Sequence, residues 1–150
     1  MRLEDEIKMK KFKSPQHKAG LNIVFTGYWL GSRINAVLKD YDLSEPQYNI
    51  LRILRGRHPE PANLFILQDR MLSKMSNTTR LVEKLRVKGL VSRDICADNR
   101  RKVEICITQA GLDLLKALDP LVDGQDSEVF GKLSDEEADT LNLLLEKLRS

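Results

Sequence analysis

Residues 73–108, SKMSNTTRLVEKLRVKGLVSRDICADNRRKVEICIT, constrain the fold more than any other stretch of the chain. They read as one amphipathic helix leading directly into a β-hairpin with a basic tip. The helix is expected to start near Ser73 or Ser76. Thr78, Leu81, Val82 and Leu85 follow the i, i+3, i+4, i+7 spacing of one buried stripe. Gly89 stands where a helix stops. Two β-rich runs follow, Leu90–Cys96 and Lys102–Thr108, separated by the turn sequence Ala97-Asp98-Asn99-Arg100-Arg101.

The segment before it carries strong start signals. Ser44 is a cap with Gln47 three residues on, Pro46 falls in the first turn, and Leu43 and Tyr48 are spaced as a hydrophobic staple. This helix is expected to run to Gly56. A loop with two prolines covers Gly56–Pro61, and a short helix is expected over Asn63–Leu72. Two short helices and a tight turn leading into a hairpin give the order of a winged helix-turn-helix. The fold class is therefore mainly α, with a small β-hairpin wing.

Longer helices flank this unit. From about 18 to 41, Ile23, Gly27, Leu30, Ile34, Val37 and Tyr41 recur at alternating steps of four and three, a seam suited to helix packing. Gly27 and Gly31 weaken that helix and mark a kink or a close approach. Residues 1–18 are charged, carry Pro15, and are expected to form a loose arm or a frayed helix. After the hairpin, Thr108 can cap a helix containing Leu112, Leu115, Leu118 and Val122, with a kink at Pro120. Ser134 and Glu137 form a second capping box, ahead of the stripe Leu141, Leu144, Leu145 and Leu148. The two chain ends thus hold more apolar surface than a small winged helix can cover. A homodimer is expected, with Ile23, Leu30, Leu141, Leu144, Leu145 and Leu148 in its interface. Residues 1–150 read as a single domain. About 20–42 and 109–150 supply dimerisation helices, and about 43–108 supply the winged helix-turn-helix.

Charge is distributed unevenly. Residues 70–102 hold ten Lys/Arg against three Asp/Glu, a net +7, whereas residues 103–150 hold four against eleven, a net −7. One basic segment in an otherwise acidic half makes a phosphate-binding face and points to double-stranded DNA. There are two cysteines, Cys96 and Cys106, and both lie in the expected hairpin. If the turn is Asp98–Arg101, Cys96 faces Val103, so the sulfurs are not opposite and two free thiols in a reducing cytoplasm are expected. His17 and His58 lack zinc-site spacing, and neither a metal nor a cofactor is expected. The first six residues do not read as a signal peptide, and no run of about eighteen apolar residues exists to span a membrane. No nucleophile–base pair or glycine-rich phosphate loop points to catalysis.

The chain resembles the MarR family (multiple antibiotic resistance regulators) over roughly residues 20–150. The resemblance rests on Leu43-Ser44-Glu45-Pro46-Gln47-Tyr48-Asn49-Ile50-Leu51, and on Arg80-Leu81-Val82-Glu83-Lys84-Leu85 with Lys88-Gly89-Leu90-Val91. It rests also on Asp98-x-Arg100-x-x-Val103 followed by Ile107-Thr108-x-x-Gly111. It implies a homodimer with interlocked chain ends, a recognition helix in the major groove and a wing reaching the minor groove. It further implies a repressor, less often an activator, acting at a pseudo-palindromic operator and retuned by a small molecule. His58–Pro61 and residues 71–76 depart from the commoner pattern, which leaves the start of the recognition helix open by a turn. The first half of the chain has no cysteine, whereas the hydroperoxide-sensing branch carries its reactive thiol there.

Candidate DNA-binding residues follow from these readings. Ser76, Asn77, Thr79 and Arg80 lie early on the recognition helix, where Asn and Arg can pair with purine edges. Lys74, Lys84, Lys88 and Arg93 are phosphate candidates, and Arg100, Arg101 and Lys102 sit at the wing, Arg100 being favoured for the minor groove. Asp98 reads as a turn former that orients an arginine. Phe25, Tyr28, Trp29, Tyr41 and Tyr48 could line a crevice for a small aromatic or phenolic ligand, although plain core is the stronger reading. The competing function is a winged helix used only for protein–protein contact. A basic wing tip has no purpose there, and this favours DNA.

Overall fold

The computed structural model describes residues 1–95, 98, 99 and 101–150. In chain order the elements are α1 (Leu3–Glu6), α2 (Pro15–Lys39), α3 (Glu45–Arg57), α4 (Leu64–Arg70), α5 (Thr78–Val87), β1 (Val91–Ile95), β2 (Val103–Ile107), α6 (Gln109–Phe130) and α7 (Asp135–Arg149). The mostly helical chain with one antiparallel hairpin is a winged helix-turn-helix. Helices α3, α4 and α5 with the hairpin form the winged part, and α2, α6 and α7 are the flanking helices.

Most helix starts obey their local sequence. The Ser44–Gln47 capping box forms in both directions: the Gln47 N–H donates to Ser44 Oγ at 3.3 Å, and the Ser44 N–H donates to Gln47 Oε1 at 3.0 Å. Leu43 and Tyr48 are both buried in the core. Ser134 and Glu137 make the same reciprocal pair at α7. Asn63 caps α4 through a bond from the Ile66 N–H at 2.8 Å. Each such cap is worth about 1 kcal/mol. Helix α2 starts earlier than expected, because Ser14 caps it and Pro15 takes the first helical position, where its missing N–H costs nothing. The segment before it is also more ordered than a loose arm: α1 docks with Leu3 buried, and Lys18 on α2 pairs with Glu4.

Leu38, Ile50, Leu51, Leu54, Leu67, Leu85, Ile105, Leu115 and Leu118 form the centre of one core shared by α2, α3, α4, α5, β2 and α6. The seam on α2 divides. Ile34, Val37 and Tyr41 pack against this core, whereas Ile23 and Gly27 are exposed. Neither Gly27 nor Gly31 interrupts α2, and α6 continues through the exposed Pro120. Helix α3 likewise runs through Gly56 to Arg57. Two ion pairs tie α6 to its neighbours: Arg55–Asp119, with both carboxylate oxygens within 3.0 Å of Nη1, and Arg33–Glu128 at 2.8 Å. No described helix is long and apolar enough to cross a membrane.

The hairpin differs in register from expectation. Val91 pairs with Ile107 and Ile95 with Val103, one residue away from the pairing that would set Cys96 against Val103. Cys96 itself lies outside the described residues. Cys106 pairs with Ser92 and carries a free thiol. The physical reason is remote in sequence. Ala62, within the stretch between α3 and α4, exchanges two backbone hydrogen bonds with Ile105, both at 2.8 Å. This pins Ile105 inward. Val91, Ile105 and Ile107 are then all buried, and a one-residue slip would turn that set outward.

Candidate nucleic-acid interface

Helix α5 begins with Asn77 as its cap, later than either serine expected for that role. Its Oδ1 accepts from the Arg80 N–H at 3.1 Å, and Ser73–Ser76 form a turn closed by the Ser76 N–H on the Ser73 carbonyl at 3.2 Å. Thr78, Val82 and Leu85 are buried and Leu81 is half-buried. That orientation sends Thr79, Arg80 and Lys84 outward, all exposed. Ser76, Asn77, Arg80 and Lys84, with Pro46 from α3 and Leu81, line one shallow depression of about 320 Å³. Four of the DNA-binding candidates therefore converge on one face. Asn77 has spent its carbonyl oxygen on the cap, which leaves its amide nitrogen as the group free to face outward.

The remaining candidates divide. Lys74 is exposed, and its ammonium donates to the Asp69 carbonyl. Arg93 turns toward Glu83 at 3.8 Å, so its charge is partly neutralised. Glu83 also takes a two-point bond from Arg86, at 2.7 and 3.0 Å. The Arg86 guanidinium holds the Glu83 carboxyl below the usual carboxylate range, against the opposing effect of burial, and Arg93 adds to the lowering. Sequence reasoning missed this acidic hub, although the i, i+3 spacing of Glu83 and Arg86 was a signal for it. At the wing, Arg101 and Lys102 are exposed. In the turn, Asn99 Oδ1 accepts from the Arg101 N–H at 3.0 Å, a contact that sequence reasoning did not name. Arg100 lies outside the described residues.

Gly89 ends α5 with φ of +73°. The Thr108-x-x-Gly111 motif then joins the hairpin base to α6. Thr108 Oγ donates to the Gly89 carbonyl at 2.7 Å and accepts from the Gly111 N–H at 3.2 Å, and the Thr108 N–H donates to the Leu90 carbonyl at 3.1 Å. Gly111 is obligatory there: a Cβ would lie 2.4 Å from the Leu90 carbonyl oxygen.

The five aromatic residues do not form one crevice. Tyr28 is 78% exposed, and Tyr41 packs on the core. Phe25 and Trp29 border a small cavity of about 160 Å³ beneath α1. Tyr48 alone lines the larger crevice of about 470 Å³ between α2, α3 and α6, together with Leu30, Ile34, Arg52, Val122 and Phe130 among others. The Arg52 guanidinium lies 5.7 Å from the centre of the Tyr48 ring, and burial pushes the Tyr48 hydroxyl above its ordinary pKa. Aromatic content suggested a pocket, but the sequence could not tell which helical faces meet.

The dimerisation candidates are largely uncovered. Leu141 is 44% exposed, Leu144 56% and Leu148 68%, and α7 has no buried residue. Ile23 is exposed, whereas Leu30 and Leu145 are half-buried. Among the described residues no group of His, Cys, Asp or Glu is placed to hold a metal.

Comparison with known proteins agrees with this geometry. The sequence model of the MarR family matches residues 43–103. The transcriptional regulator HosA of Escherichia coli is 27% identical over 107 residues, covering 71% of this chain and 78% of its own. The DNA complex of MepR from S. aureus shares the fold, with a TM-score of 0.77 at 18% identity over 86% of this chain and 94% of that one. A MarR transcription factor from Planctomyces limnophilus is 34% identical, covers 91% of this chain and 98% of its own, and superposes with a TM-score of 0.70. On that identity and coverage, the chain belongs to the MarR family of transcription factors.

Proposed function

We propose that this regulator is a homodimeric, sequence-specific repressor that binds a pseudo-palindromic operator in the cytoplasm and is modulated by a small molecule. The observation that carries the reading is the outward face of α5. Ser76, Asn77, Arg80 and Lys84 share one depression on the side opposite the buried stripe. Arg80 and Asn77 offer the donors that read purine edges, and Lys84 and Lys74 offer charge to phosphates. Arg101 and Lys102 extend the basic surface to the wing, with Arg100 proposed for the minor groove.

In this reading, residues of about 43–108 bind DNA, and those of about 20–42 and 109–150 join two copies. The exposed leucines of α7 and the exposed Ile23, Val24 and Tyr28 of α2 support the second role. The crevice between α2, α3 and α6 is the place for a small aromatic or phenolic ligand. Tyr48, Leu30 and Phe130 offer apolar walls, and Arg52 offers a charge.

The test is fluorescence anisotropy with the duplex flanking the regulator's own gene and with single-base variants of it. A dimer that neutralises about eight phosphates should give log K a slope near −7 against log salt. Arg80→Ala should cost on the order of 1–3 kcal/mol and blur preference at one position of each half-site. A slope near zero would remove the DNA face and leave the protein–protein reading.

A further inference from the structure

The turn between α4 and α5, residues 71–77, belongs to no helix or strand, yet it delivers Ser76 and Asn77 to the outer face of α5. Two amide side chains hold it. Asn49, on α3, accepts a hydrogen bond through Oδ1 from the Leu72 N–H at 2.9 Å. That bond fixes the chain just beyond the C-cap of α4, Met71. Gln68, on α4, uses both ends of its carboxamide. Its Nε2 donates to the Lys74 carbonyl at 2.9 Å, and its Oε1 accepts from the Thr78 hydroxyl. Thr78 is the buried first residue of α5, so Gln68 joins the middle of the turn to the start of the recognition helix.

The chemistry is specific. A carboxamide carries a donor and an acceptor on one rigid plane, which no aliphatic side chain or ionised carboxylate offers. Asn49 and Gln68 are each half-buried, and three of the four polar atoms of their two carboxamides, all but Asn49 Nδ2, are committed to these bonds inside the protein. Neither side chain is among those lining the depression on the outer face of α5. Lys74, Ser76, Asn77 and Arg80, by contrast, are held by local bonds only: the Lys74 ammonium on the Asp69 carbonyl, the Ser76 N–H on the Ser73 carbonyl, and the cap.

We propose that Asn49 and Gln68 are positioning residues for DNA recognition, a two-amide clamp that sets where the Lys74–Arg80 segment meets the duplex. The proposal rests on the reading that the outer face of α5 binds DNA, and it names residues outside that face on which the binding depends.

The experiment uses the full-length protein in four forms: Asn49→Leu, Asn49→Asp, Gln68→Leu and Gln68→Glu. An ionised Asp at 49 still accepts from Leu72, whereas Leu does not. An ionised Glu at 68 still accepts from Thr78 but cannot donate to Lys74. The DNA probe is the duplex that wild-type protein enriches from a random library. Amide hydrogen exchange without DNA is the second readout. Asn49→Leu should speed exchange at Leu72 and weaken the enriched duplex about tenfold, with preference blurred at several adjacent positions of each half-site. Asn49→Asp should restore both. Gln68→Glu should fall between wild type and Gln68→Leu. The salt slope should stay unchanged in Asn49→Leu and Gln68→Leu, because neither changes the charge of the protein.

Faster exchange with unaltered DNA affinity and preference would overturn the proposal. Loss of preference at a single position would overturn it in favour of direct contact by that side chain. Equal loss in Asn49→Leu and Asn49→Asp would also overturn it. A wild-type protein that enriches no duplex at all would instead overturn the DNA reading on which the clamp rests, a result distinct from each of these.

Discussion

Gly111→Ala should destabilise the protein, although alanine is the better helix former. In an unhindered helix the exchange would gain up to about 1 kcal/mol. Here the new Cβ would lie 2.4 Å from the Leu90 carbonyl oxygen and 2.6 Å from Ile107 Cγ1. The isoleucine can rotate. The carbonyl cannot easily move, because it accepts the Thr108 N–H at 3.1 Å. Ordinary contact therefore requires the start of α6 to lift by roughly 1 Å, which strains the Thr108 bonds to Leu90 and Gly89. Two weakened hydrogen bonds at about 1 kcal/mol each, and overpacking of about 1–3 kcal/mol, exceed the propensity gain. The net loss should be about 2–4 kcal/mol, or a urea midpoint lower by about 1–2 M at the slope of a small protein. Gly56→Ala is the matched control, since nothing lies within 4 Å of its added Cβ. It should be neutral or stabilising by up to about 1 kcal/mol. Both variants should be unfolded in urea at one protein concentration, because association in the proposed dimer would couple to stability. A Gly111→Ala protein as stable as wild type would refute the close contact between α6 and the hairpin base.

Three further outcomes are expected. Leu144→Glu with Leu148→Glu should convert the dimer to monomer or unfolded chain in light scattering; a wild-type chain that is already monomeric at micromolar concentration would sink the dimer reading. Glu83→Gln should release Arg86 and Arg93, strengthen non-specific duplex binding several-fold at low salt and steepen the salt slope; weaker binding would show that Glu83 orients an arginine that DNA requires. Burial first, then the nearby Glu104 and Asp94, push the Cys106 thiol above its ordinary pKa. In a Cys96→Ser background at neutral pH, alkylation of Cys106 should therefore be slower in folded than in urea-unfolded protein. The unfolded thiol ionises at the lower pH, so this group's contribution to stability is fully present below the unfolded pKa and is lost as pH rises from there through the raised folded pKa. Faster reaction of the folded thiol would contradict the burial argument.

Features governed by local chemistry were legible in the sequence. The two capping boxes, Thr108 as a cap, Gly89 as a stop and the buried stripe of α5 all depend on residues within a turn or two of each other. What was not legible depends on distant partners. Ser73, Ser76 and Asn77 are all competent caps, and the bonds that Gln68 makes to Lys74 and Thr78 help decide among them. The hairpin register is pinned by Ala62, far upstream of Ile105. For the site, the basic residues of α5 could be named from spacing. That Arg93 would bend back to Glu83 could not, because β1 and α5 had first to be packed together. The aromatic residues were visible as candidates, but their distribution over four separate places follows from which helix faces close on one another.

The join at Thr108 and Gly111 also has a mechanical consequence. Because the end of α5, the base of the hairpin and the first turn of α6 are locked by three hydrogen bonds, they turn as one piece. Helix α6 has 22 residues, a shaft of roughly 33 Å at 1.5 Å per residue. In a dimer held at the far end of that shaft, a tilt of about 5° carries the reading head sideways by roughly 3 Å, close to the rise of one base pair. Operator spacing would then be set at the dimer contact, and a modest change there would move both reading heads out of phase with their half-sites.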